Sequence, residues 1–503
     1  MSYESAVAAA PCRRSPKMSK LLLTFYGDDF TGSTDALEQL TNAGVRTMLF
    51  IEPPTPSQLK RFPNLQAVGV AGTTRSMTPN ALERELRPAL AALRALGARH
   101  VHYKVCSTFD SSPMIGSIGR VMDVAAEIFP APFMPLLVAA PALGRYTIFG
   151  QHFARYGIGS TGAIHRLDRH PSISQHPVTP MTEADLRLHL SKQTNKKIAL
   201  FDILKVALPA KEARAALKKI LAEKPDAVLF DALYGEQFAL IGGLMDEYAS
   251  ARRPLFSVGS SGIEMALATH WNVAAGILPA LEPGFQPGRK KLAQAGSISV
   301  LWKSQQGSPL FPGGRIPPST SGKMPDATTL LVGSGSCSPV TSGQIAWALK
   351  HRFAEVPLNA GALMNPKTCS PEIKRAAAFA AKFLKAGKSV IVHTTKSGSD
   401  KTVATKLKSR TAKVLGTALG KVLRGVLEQS KVQRLCIAGG DTSSFAARAL
   451  GIEALEMIAP LTLGAPLCRA FAPGSPVDGL EVVFKGGQVG AENYFGIVKN
   501  GKT

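Results

Sequence analysis

The sequence predicts an α/β protein with two domains, each a largely parallel sheet flanked by helices. Short apolar runs alternate with amphipathic stretches along the chain, which is the pattern of strands followed by helices. Several of these runs end in Gly, Ser, Asp or Arg, as strands do when their carboxyl ends carry a ligand site. The length of 503 residues exceeds the roughly 100–200 residues of a typical domain, so we expect two domains.

The N-terminal unit of the chain shows this pattern first. Residues 21–26 are an apolar run that predicts a strand, residues 33–43 have the apolar spacing of a helix, and residues 45–51 predict a second buried strand. Thr31 or Ser33 could cap the helix. We therefore expect a β-α-β unit with a parallel crossover.

Two adjacent carboxylates, Asp28 and Asp29, stand in the turn between this strand and this helix. Ligands of open α/β sheets bind outside the carboxyl ends of the strands, which is where this turn falls. We therefore expect Asp28 and Asp29 to face a ligand. The alternative is that one of them only caps the helix.

Charged and hydroxyl side chains follow further apolar runs of the first domain. The candidate binding residues of this domain are Asp28, Asp29, Arg75, Lys104, Ser107, Asp110 and Arg145. Arg and Lys recognise carboxylates, whereas Asp and Ser can hold hydroxyls, so the implied ligand is a small hydroxy acid. A carboxylate beside a hydroxyl could also take its proton in phosphoryl transfer. As alternatives, Lys104 could simply cover apolar surface with its stem, and Arg145 could pair with a structural acid.

The middle of the first domain has a different composition. Residues 150–181 are rich in Gly, His, Pro and Ser, which predicts a long surface excursion, and a helix is expected from Thr182. Apolar runs at 197–201, 227–230 and 255–258 then restart the alternation of strand and helix.

The domain boundaries are predicted from composition. Residues 1–19 are expected to be a flexible tail, and residues 20–282 the first domain. Pro, Gly and Ser are concentrated at 283–326, which predicts a linker or an irregular insertion. The second domain is then expected to span residues 327–503.

Three Gly/Ser-rich turns, at 333–341, 439–444 and 486–490, distinguish the second domain. Glycine lets backbone N–H groups approach an anion that a helix N-terminus already favours, so these turns predict phosphate binding. None forms a G-x-x-x-x-G-K-[ST] loop or a clean G-x-G-x-x-G fingerprint, which predicts a nucleotide site of a less familiar kind. The alternative is that the glycines only end strands and helices. The candidate nucleotide-binding residues are Ser334, Ser336, Ser338, Gly439, Gly440, Asp441, Thr442, Gly487 and Gly490.

The formal net charge of +24 could serve nucleic acid, an anionic membrane surface or small anionic ligands. Much of it lies between Lys382 and Arg434, without interleaved aromatic residues or a nucleic-acid-binding signature, so we interpret it as a solvated helix face. No apolar run reaches the roughly 18 residues of a membrane span. We therefore expect phosphorylated metabolites as partners, and neither nucleic acid nor a membrane. The six cysteines form no C-x-x-C pair, which predicts a reducing, cytoplasmic environment.

From about Leu21 to Val498 the chain resembles the four-carbon acid sugar kinase family. The segments that carry this resemblance are GDDFTGSTD at 27–35, YKVCSTFDSS at 103–112, HPVTPM at 176–181, FDAL at 230–233, GSSG at 259–262, SGSCSPVTSGQ at 334–344, AGGDTS at 438–443 and KGGQVG at 485–490. The resemblance implies that the N-terminal domain binds a sugar acid, that the C-terminal domain binds ATP, and that the active site lies in the cleft between them.

The resemblance also implies which residues belong to each site. It places five residues at the sugar acid, namely Asp29, Arg75, Lys104, Ser107 and Asp110. It places six at ATP, namely Ser336, Gly439, Gly440, Asp441, Thr442 and Gly487. Asp441 stands where many members carry Glu, and PALGRY at 141–146 replaces a more usual Asn-Gly-Arg.

The expected activity is transfer of the γ-phosphoryl group of Mg²⁺-ATP to a terminal hydroxyl of a four- or five-carbon sugar acid. Asp29 is expected to orient or deprotonate that hydroxyl, with Asp110 as the alternative, and Lys104 with Arg75 to hold the carboxylate or neutralise transferring charge. The segment at 104–111 is most similar to the branch that phosphorylates 3-oxo-tetronates; threonate, erythronate, 4-hydroxythreonate and 3-oxo-isoapionate are the alternatives. An NAD(P)-dependent oxidoreductase and a non-catalytic sugar-acid-binding protein are the rival functions. The metal ligands and a homo-oligomeric state stay open.

Overall fold

The computed structural model describes residues 21–156, 162–176, 178–274, 329–394 and 409–501. It confirms the predicted α/β class. Within the described residues, 15 strands form one mostly parallel sheet and three strands form a separate antiparallel sheet. The predicted tail at 1–19 and the Pro/Gly-rich segment at 283–326 lie outside the described residues.

The strands of the first half are short and almost wholly buried, as expected of parallel strands covered on both faces. In chain order they are β1 (Leu23–Gly27), β2 (Thr47–Phe50), β3 (Ala67–Ala71), β4 (His100–Lys104), β5 (Met134–Leu137), β6 (Arg145–Ile148), β7 (Gln151–Arg155), β8 (Ile164–Arg166), β9 (Ile198–Phe201), β10 (Ala227–Phe230) and β11 (Leu255–Gly259). The helices between them are α1 (Phe30–Asn42), α2 (Pro56–Lys60), α3 (Pro79–Ala95), α4 (Ile118–Ile128), α5 (Leu186–Ser191), α6 (Ile203–Val206), α7 (Ala210–Ala222), α8 (Phe238–Asp246) and α9 (Gly262–Ala274).

The second half repeats this alternation and adds an antiparallel hairpin. Its strands are β12 (Leu330–Ser334), β13 (Ala354–Pro357), β14 (Val390–His393), β15 (Arg434–Ala438), β16 (Ala454–Thr462), β17 (Ala465–Phe471) and β18 (Glu481–Lys485). Its helices are α10 (Pro339–Lys350), α11 (Ala360–Met364), α12 (Pro366–Lys385), α13 (Ser409–Gln429), α14 (Gly440–Leu450) and α15 (Tyr494–Asn500).

The two halves share one continuous sheet. Its strand order is β13-β14-β12-β15-β18-β17-β16-β2-β3-β1-β4-β11-β5-β10-β9, and the halves join where β16 pairs antiparallel with β2. Apolar packing crosses the same junction, because the ring centroids of Phe30 in α1 and Phe484 in β18 lie 4.4 Å apart. The sequence predicted a sheet in each half but not that the two sheets would be joined.

Polar contacts of Arg448 in α14 also cross the junction. Its guanidinium donates to the backbone carbonyls of Ile51 and Ala71, at 3.1 Å each, and to Glu52. The hydroxyl of Ser444 donates to the Gly72 carbonyl at 3.3 Å. Because carbonyl groups at strand ends lack ladder partners, these bonds fix α14 against the edge of the first half.

The N-terminal unit differs from its prediction in two respects. Helix α1 begins at Phe30, and its N-cap is Asp29, whose side chain accepts from Gly32 N at 2.6 Å. The cap is therefore neither Thr31 nor Ser33. The crossover from β1 to β2 is parallel as expected, but β3 lies between them and pairs with both.

The predicted excursion at 150–181 contains more regular structure than its composition indicated. Strands β6, β7 and β8 form the separate antiparallel sheet, and the following helix begins at Leu186 with Asp185 as its N-cap instead of at Thr182. The carboxylate of Asp231 accepts from the backbone N–H groups of Phe149, Gly150 and Ile203. The Asp of the FDAL segment therefore anchors the turn between β6 and β7 to the main sheet.

Candidate active site

Asp29 and Asp110 are joined by one arginine at the carboxyl edge of the sheet. Asp29 follows β1, Arg75 lies in the helical turn after β3, and Asp110 lies in the loop after β4. Arg75 Nη1 donates to Asp29 Oδ2 at 3.1 Å, and Arg75 Nη2 donates to Asp110 Oδ2. The carboxylate side chains are 5% and 3% exposed, whereas that of Arg75 is 24% exposed. Arg75 is therefore the member of this cluster that is most accessible to solvent.

Asp110 is held as an ionised carboxylate. Burial alone would raise its pKa, but Arg75, His176 and a hydrogen bond from Thr108 lower the pKa to about 2. Thr108 Oγ1 donates to Asp110 Oδ1, while Arg75 occupies Oδ2. Both carboxylate oxygens consequently have partners inside the protein.

Lys104 is buried at the end of β4 and paired with an acid of α1. Its Nζ lies 3.4 Å from Asp35 Oδ2 and donates to the Val105 carbonyl at 3.0 Å. Burial lowers the pKa of Lys104, but Asp35 and the other surrounding acids more than offset this and raise it. A Cβ atom built on Gly32 would lie 3.4 Å from Nζ, so the ammonium group lies against the first turn of α1. Lys104 therefore does more than cover apolar surface with its stem.

Asp28 is a buried acid whose proton is retained at neutral pH. Burial, reinforced by Asp29, raises the pKa of its carboxyl to about 8, although Arg75 and Lys104 oppose this. Its Oδ1 is buried and has no hydrogen-bond partner in the described part of the chain. The backbone of Asp28 donates to the Lys104 carbonyl at 2.8 Å and accepts from Arg75 N at 3.1 Å. It thus links the two strand ends that carry the charged cluster.

Ser107 and Arg145 lie on the side of the site formed by β6 and β7. His152 Nε2 donates to the Ser107 carbonyl at 2.9 Å, which fixes the start of the loop that carries Asp110. Arg145 is 5% exposed, and its Nη1 donates to the carbonyls of Leu143, Gly144 and Arg155. Among the described residues, it has no ion pair with a carboxylate.

The three Gly/Ser-rich turns of the second half converge. A Cβ atom built on Gly487 would lie 3.0 Å from Ser336 Oγ and from Ser338 Cβ. Another built on Gly335 would lie 2.4 Å from Thr442 Oγ1. Each of these turns therefore depends on the absence of a side chain where the next turn approaches. Glycine-rich turns that pack this closely beside the N-terminus of a helix are suited to binding phosphate.

Some predicted nucleotide residues lie farther back in this region. Ser334 is fully buried within β12, and Gly490, with φ of +88°, lies against the ring of Tyr494. Asp441 is in the first turn of α14, but its side chain lies outside the described residues.

The two groups of residues meet at Asp29 and Gly440. Gly439 has φ of +126° and is the N-cap of α14, and Gly440 is its first residue. A Cβ atom built on Gly440 would lie 3.4 Å from Asp29 Oδ2, and one built on Gly486 would lie 3.8 Å from Thr31 Oγ1. The N-terminus of α14 and the Asp29 carboxylate thus face each other across the junction of the halves.

Known protein families match both halves of the chain. The model of a sugar-binding N-terminal domain matches residues 23–267, and that of a nucleotide-binding C-terminal domain matches residues 331–495. A Paraburkholderia graminis protein named 3-oxo-isoapionate kinase is 39% identical over 96% of this chain and 95% of its own length. The chain belongs to the four-carbon acid sugar kinase family.

Other relatives and solved structures extend the comparison. A 3-oxo-tetronate kinase of Methylobacterium radiotolerans is 29% identical over 95% of this chain and 98% of its own length. A crystal structure from Salmonella typhimurium LT2, solved as a candidate tRNA synthase, covers 96% of this chain and 99% of its own with a TM-score of 0.68 and 22% identity. One from Haemophilus influenzae has a TM-score of 0.62 and 19% identity and covers 94% and 98%. These structures support the fold alone.

Two residues of this family member escaped the sequence analysis. Lys485, the last residue of β18, is fully buried, and its Nζ donates to Thr341 Oγ1 at 3.0 Å; Thr341 Oγ1 in turn donates to the Gly487 carbonyl at 3.1 Å. His176 lies near enough to Asp110 to help lower its pKa. A lysine directly before the Gly486-Gly487 pair was the signal for the first, and the HPVTPM segment for the second.

Two further observations concern membrane-spanning helices and the cysteines. No helix in the described ranges has both the length and the apolarity that crossing a membrane requires. The thiols of Cys106, Cys369, Cys436 and Cys468 are free.

Proposed function

We propose that this protein is an ATP-dependent kinase that phosphorylates a terminal hydroxyl of a sugar acid in the cleft between its halves. The observation that carries the proposal is the position of Asp29 Oδ2 opposite Gly440. Gly440 begins a helix whose N-terminus favours phosphate, and Asp29 belongs to the cluster of acids and cations in the other half. A hydroxyl held at Asp29 would therefore lie beside a phosphate held at α14.

Each half contributes one substrate in this proposal. The sugar-acid domain spans residues 20–282 and the nucleotide domain residues 327–503, which agrees with family matches at 23–267 and 331–495. The charged cluster of the first half suits an acid with several hydroxyls, because carboxylates accept from hydroxyls and cations bind the acid group. Among small polar ligands, a sugar acid has this combination of groups.

Asp29 is the better candidate for the group that orients and deprotonates the hydroxyl. The pKa of Asp110 is lowered to about 2 by Arg75, His176 and Thr108, against the effect of burial. A base with so low a pKa accepts a proton weakly at neutral pH. Both carboxylates bind Arg75, but Asp29 is the one whose Oδ2 faces Gly440, the first residue of the nucleotide helix.

Mg²⁺ is proposed as the metal that accompanies ATP. Among the described residues no group of three His, Cys, Asp or Glu side chains could hold a metal ion. Mg²⁺ usually keeps several waters and binds through substrate phosphates with one or two carboxylates, so the carboxylate of Asp29 at the nucleotide helix is a candidate ligand. When bound, Mg²⁺ would neutralise charge on the phosphate oxygens.

The substrate class is narrowed by the relatives. The 3-oxo-isoapionate kinase is 39% identical to this chain, whereas the 3-oxo-tetronate kinase of Methylobacterium radiotolerans is 29% identical. Both act on 3-oxo sugar acids, and we propose the branched 3-oxo-isoapionate as the preferred substrate. 3-Oxo-isoapionate is one of the alternative substrates that the sequence left open. The segment at 104–111 favoured 3-oxo-tetronates instead.

A coupled ADP-release assay with Mg²⁺ tests the function directly. The panel should contain 3-oxo-isoapionate, 3-oxo-tetronate, threonate, erythronate and 4-hydroxythreonate, with ATP hydrolysis in the absence of acid as the baseline. We expect the highest kcat/KM with 3-oxo-isoapionate. ADP release that no acid stimulates would contradict the kinase proposal. Turnover of a different acid would contradict only the choice of substrate.

A further inference from the structure

We propose that Arg145 binds the carboxylate of the sugar acid and sets the preference for an acid over a neutral polyol. This inference rests on the proposed function and deepens it by naming the side chain that recognises the carboxylate of the substrate. It moves the carboxylate contact away from Arg75 and Lys104, to which the sequence analysis assigned it.

The three cations predicted at the site differ in their pairing with carboxylates. Arg75 is joined to Asp29 and Asp110, and Lys104 lies 3.4 Å from Asp35 Oδ2. Arg145 makes no ion pair with any carboxylate of the described residues. Of the three cations predicted at the site, Arg145 therefore has its charge left for a ligand.

The electrostatics of the three side chains agree with this. Nearby acids overcome the effect of burial and raise the pKa of both Arg75 and Lys104. For Arg145 burial dominates and lowers the pKa. A guanidinium stays protonated in proteins, so Arg145 is a desolvated positive charge that lacks a counter-ion in the described structure.

The buried side chain of Arg145 has an unsatisfied hydrogen-bond donor. Arg145 is 5% exposed, and its Nε is buried with no hydrogen-bond partner in the described part of the protein. Nη1 is shared among three backbone carbonyls, which offer partial charges but no full negative charge. Leaving such a donor unpaired is energetically unfavourable. A carboxylate would satisfy both the donor and the charge, since it matches the guanidinium fork.

Arg145 lies in the small sheet that contacts the loop carrying Asp110. Arg145 and Thr147 occupy the same face of β6, and Thr147 pairs across the strands with His152, whose other nitrogen holds the Ser107 carbonyl. This face therefore lies against the loop that begins at Cys106. The Cys106 thiol is within electrostatic reach of Arg145, Arg75 and Lys104. All three cations are thus close enough to Cys106 to interact with it electrostatically.

A substrate bound beside Cys106 would have its two ends in different environments. Its carboxylate would be bound by Arg145 beside β6, and its far hydroxyl would lie at Asp29 opposite α14. This arrangement would direct phosphorylation to a terminal hydroxyl, remote from the acid group. The alternative role for Arg145 is structural, since its Nη1 also closes the corner between Leu143 and Arg155.

The test compares an acid with its neutral counterpart. The substrates are 3-oxo-isoapionate and the polyol in which its carboxylate is reduced to a primary alcohol. The variants are Arg145→Met, Arg145→Lys and the matched control Arg166→Met, whose arginine pairs with Asp168 on the same small sheet. Thermal unfolding confirms that each variant is folded.

We expect Arg145→Met to raise KM for the acid about 100-fold with a much smaller change in kcat, because a charge-assisted contact to the substrate is lost. KM for the polyol should stay close to the wild-type value, so the preference for the acid collapses. Arg145→Lys should recover part of the preference, and Arg166→Met should retain all of it.

Three outcomes would overturn the inference. Wild-type preference for the acid in both Arg145 variants would show that the carboxylate binds elsewhere. Equal losses with acid and polyol would show a structural role. Absence of turnover with any acid in the wild-type enzyme would remove the proposed function together with this inference, whereas the first two outcomes leave the proposed function standing.

Discussion

The carboxylate of Asp29 and the backbone of Gly440 face each other across the junction of the two halves, 3.4 Å apart when measured from Asp29 Oδ2 to a Cβ atom built on the glycine. Asp29 also caps α1 and binds Arg75. Its position is therefore fixed by its own helix and by a neighbouring cation, independently of any substrate. Such preorganisation is what general-base catalysis demands of a carboxylate.

Asp29→Asn should lower kcat by about 10²–10⁴-fold, because Asn cannot accept the proton of the attacking hydroxyl. The fold should survive, since Asn caps helices nearly as well as Asp does. Steady-state kinetics with the preferred acid measure the effect, and KM for ATP should change little. The control is Asp28→Asn, which should retain most of the turnover. Near-normal kcat in Asp29→Asn would exclude Asp29 as the base.

Asp28→Asn should change how stability depends on pH. Burial raises the pKa of Asp28 to about 8, from an ordinary value of 3.8. Between these values the folded state keeps a proton that the unfolded state releases, so wild-type stability falls as pH rises from about 4 to about 8. Asn resembles the protonated acid and does not titrate.

Thermal unfolding of both proteins at about pH 5 and about pH 8 measures this difference. The fall in Tm with pH should be smaller for Asp28→Asn than for the wild type. Burial also raises the pKa of Glu38 to about 8, but Glu38 is present in both proteins, so its contribution cancels. Identical pH profiles would show that Asp28 is ionised in the folded protein.

Gly440→Val should weaken ATP binding and slow transfer. The added side chain would contact Asp29 Oδ2 and fill the N-terminus of α14, where the phosphate is expected. We expect at least a 10-fold rise in KM for ATP. The control is Gly343→Val in α10, because a Cβ atom there would have no atom within 4 Å. Unchanged ATP kinetics in Gly440→Val would show that this helix end does not bind the phosphate.

Lys485 should make ATP binding depend on pH. Burial lowers its pKa to about 8, against the effect of Cys436, so the positive charge under the Gly486-Gly487 turn is lost above that pH. Wild-type KM for ATP should then rise as pH increases beyond about 8. Lys485→Met should have a raised KM at every pH, and Lys485→Arg should lose the dependence because Arg stays charged. A wild-type profile retained in Lys485→Met would assign the titration to another group.

The sequence carried enough information to predict the strands and the residues that end them. The apolar runs at 21–26 and 227–230 became the buried strands β1 and β10, and Asp29, Arg75 and Asp110 met at one edge because parallel strands present their carboxyl ends together. The local pattern was enough to predict the strands and the residues that follow them, since each of these depends on neighbours in the chain.

What the sequence could not supply were the partners of each charge. The local sequence does not indicate that Lys104 pairs with Asp35, or that Arg145 donates to backbone carbonyl groups instead of a carboxylate. Such pairing depends on distances that the whole fold determines. The cap of α1 was left open among Asp28, Asp29, Thr31 and Ser33 for a related reason. Asp29, Thr31 and Ser33 are all good caps, and only the backbone path selects among them.

The strand pair between β2 and β16 has a consequence for biosynthesis. Strand β2 is made early, but the strand that covers its edge lies near the other end of the chain; the bonded pair Arg448 and Ile51, at the same junction, are 397 residues apart. At a synthesis rate of about 5–20 residues per second, that edge stays unpaired for tens of seconds on each ribosome. An unpaired strand edge invites pairing with other chains. Nascent copies of this enzyme should therefore depend on chaperones more strongly than its finished, edge-to-edge sheet indicates.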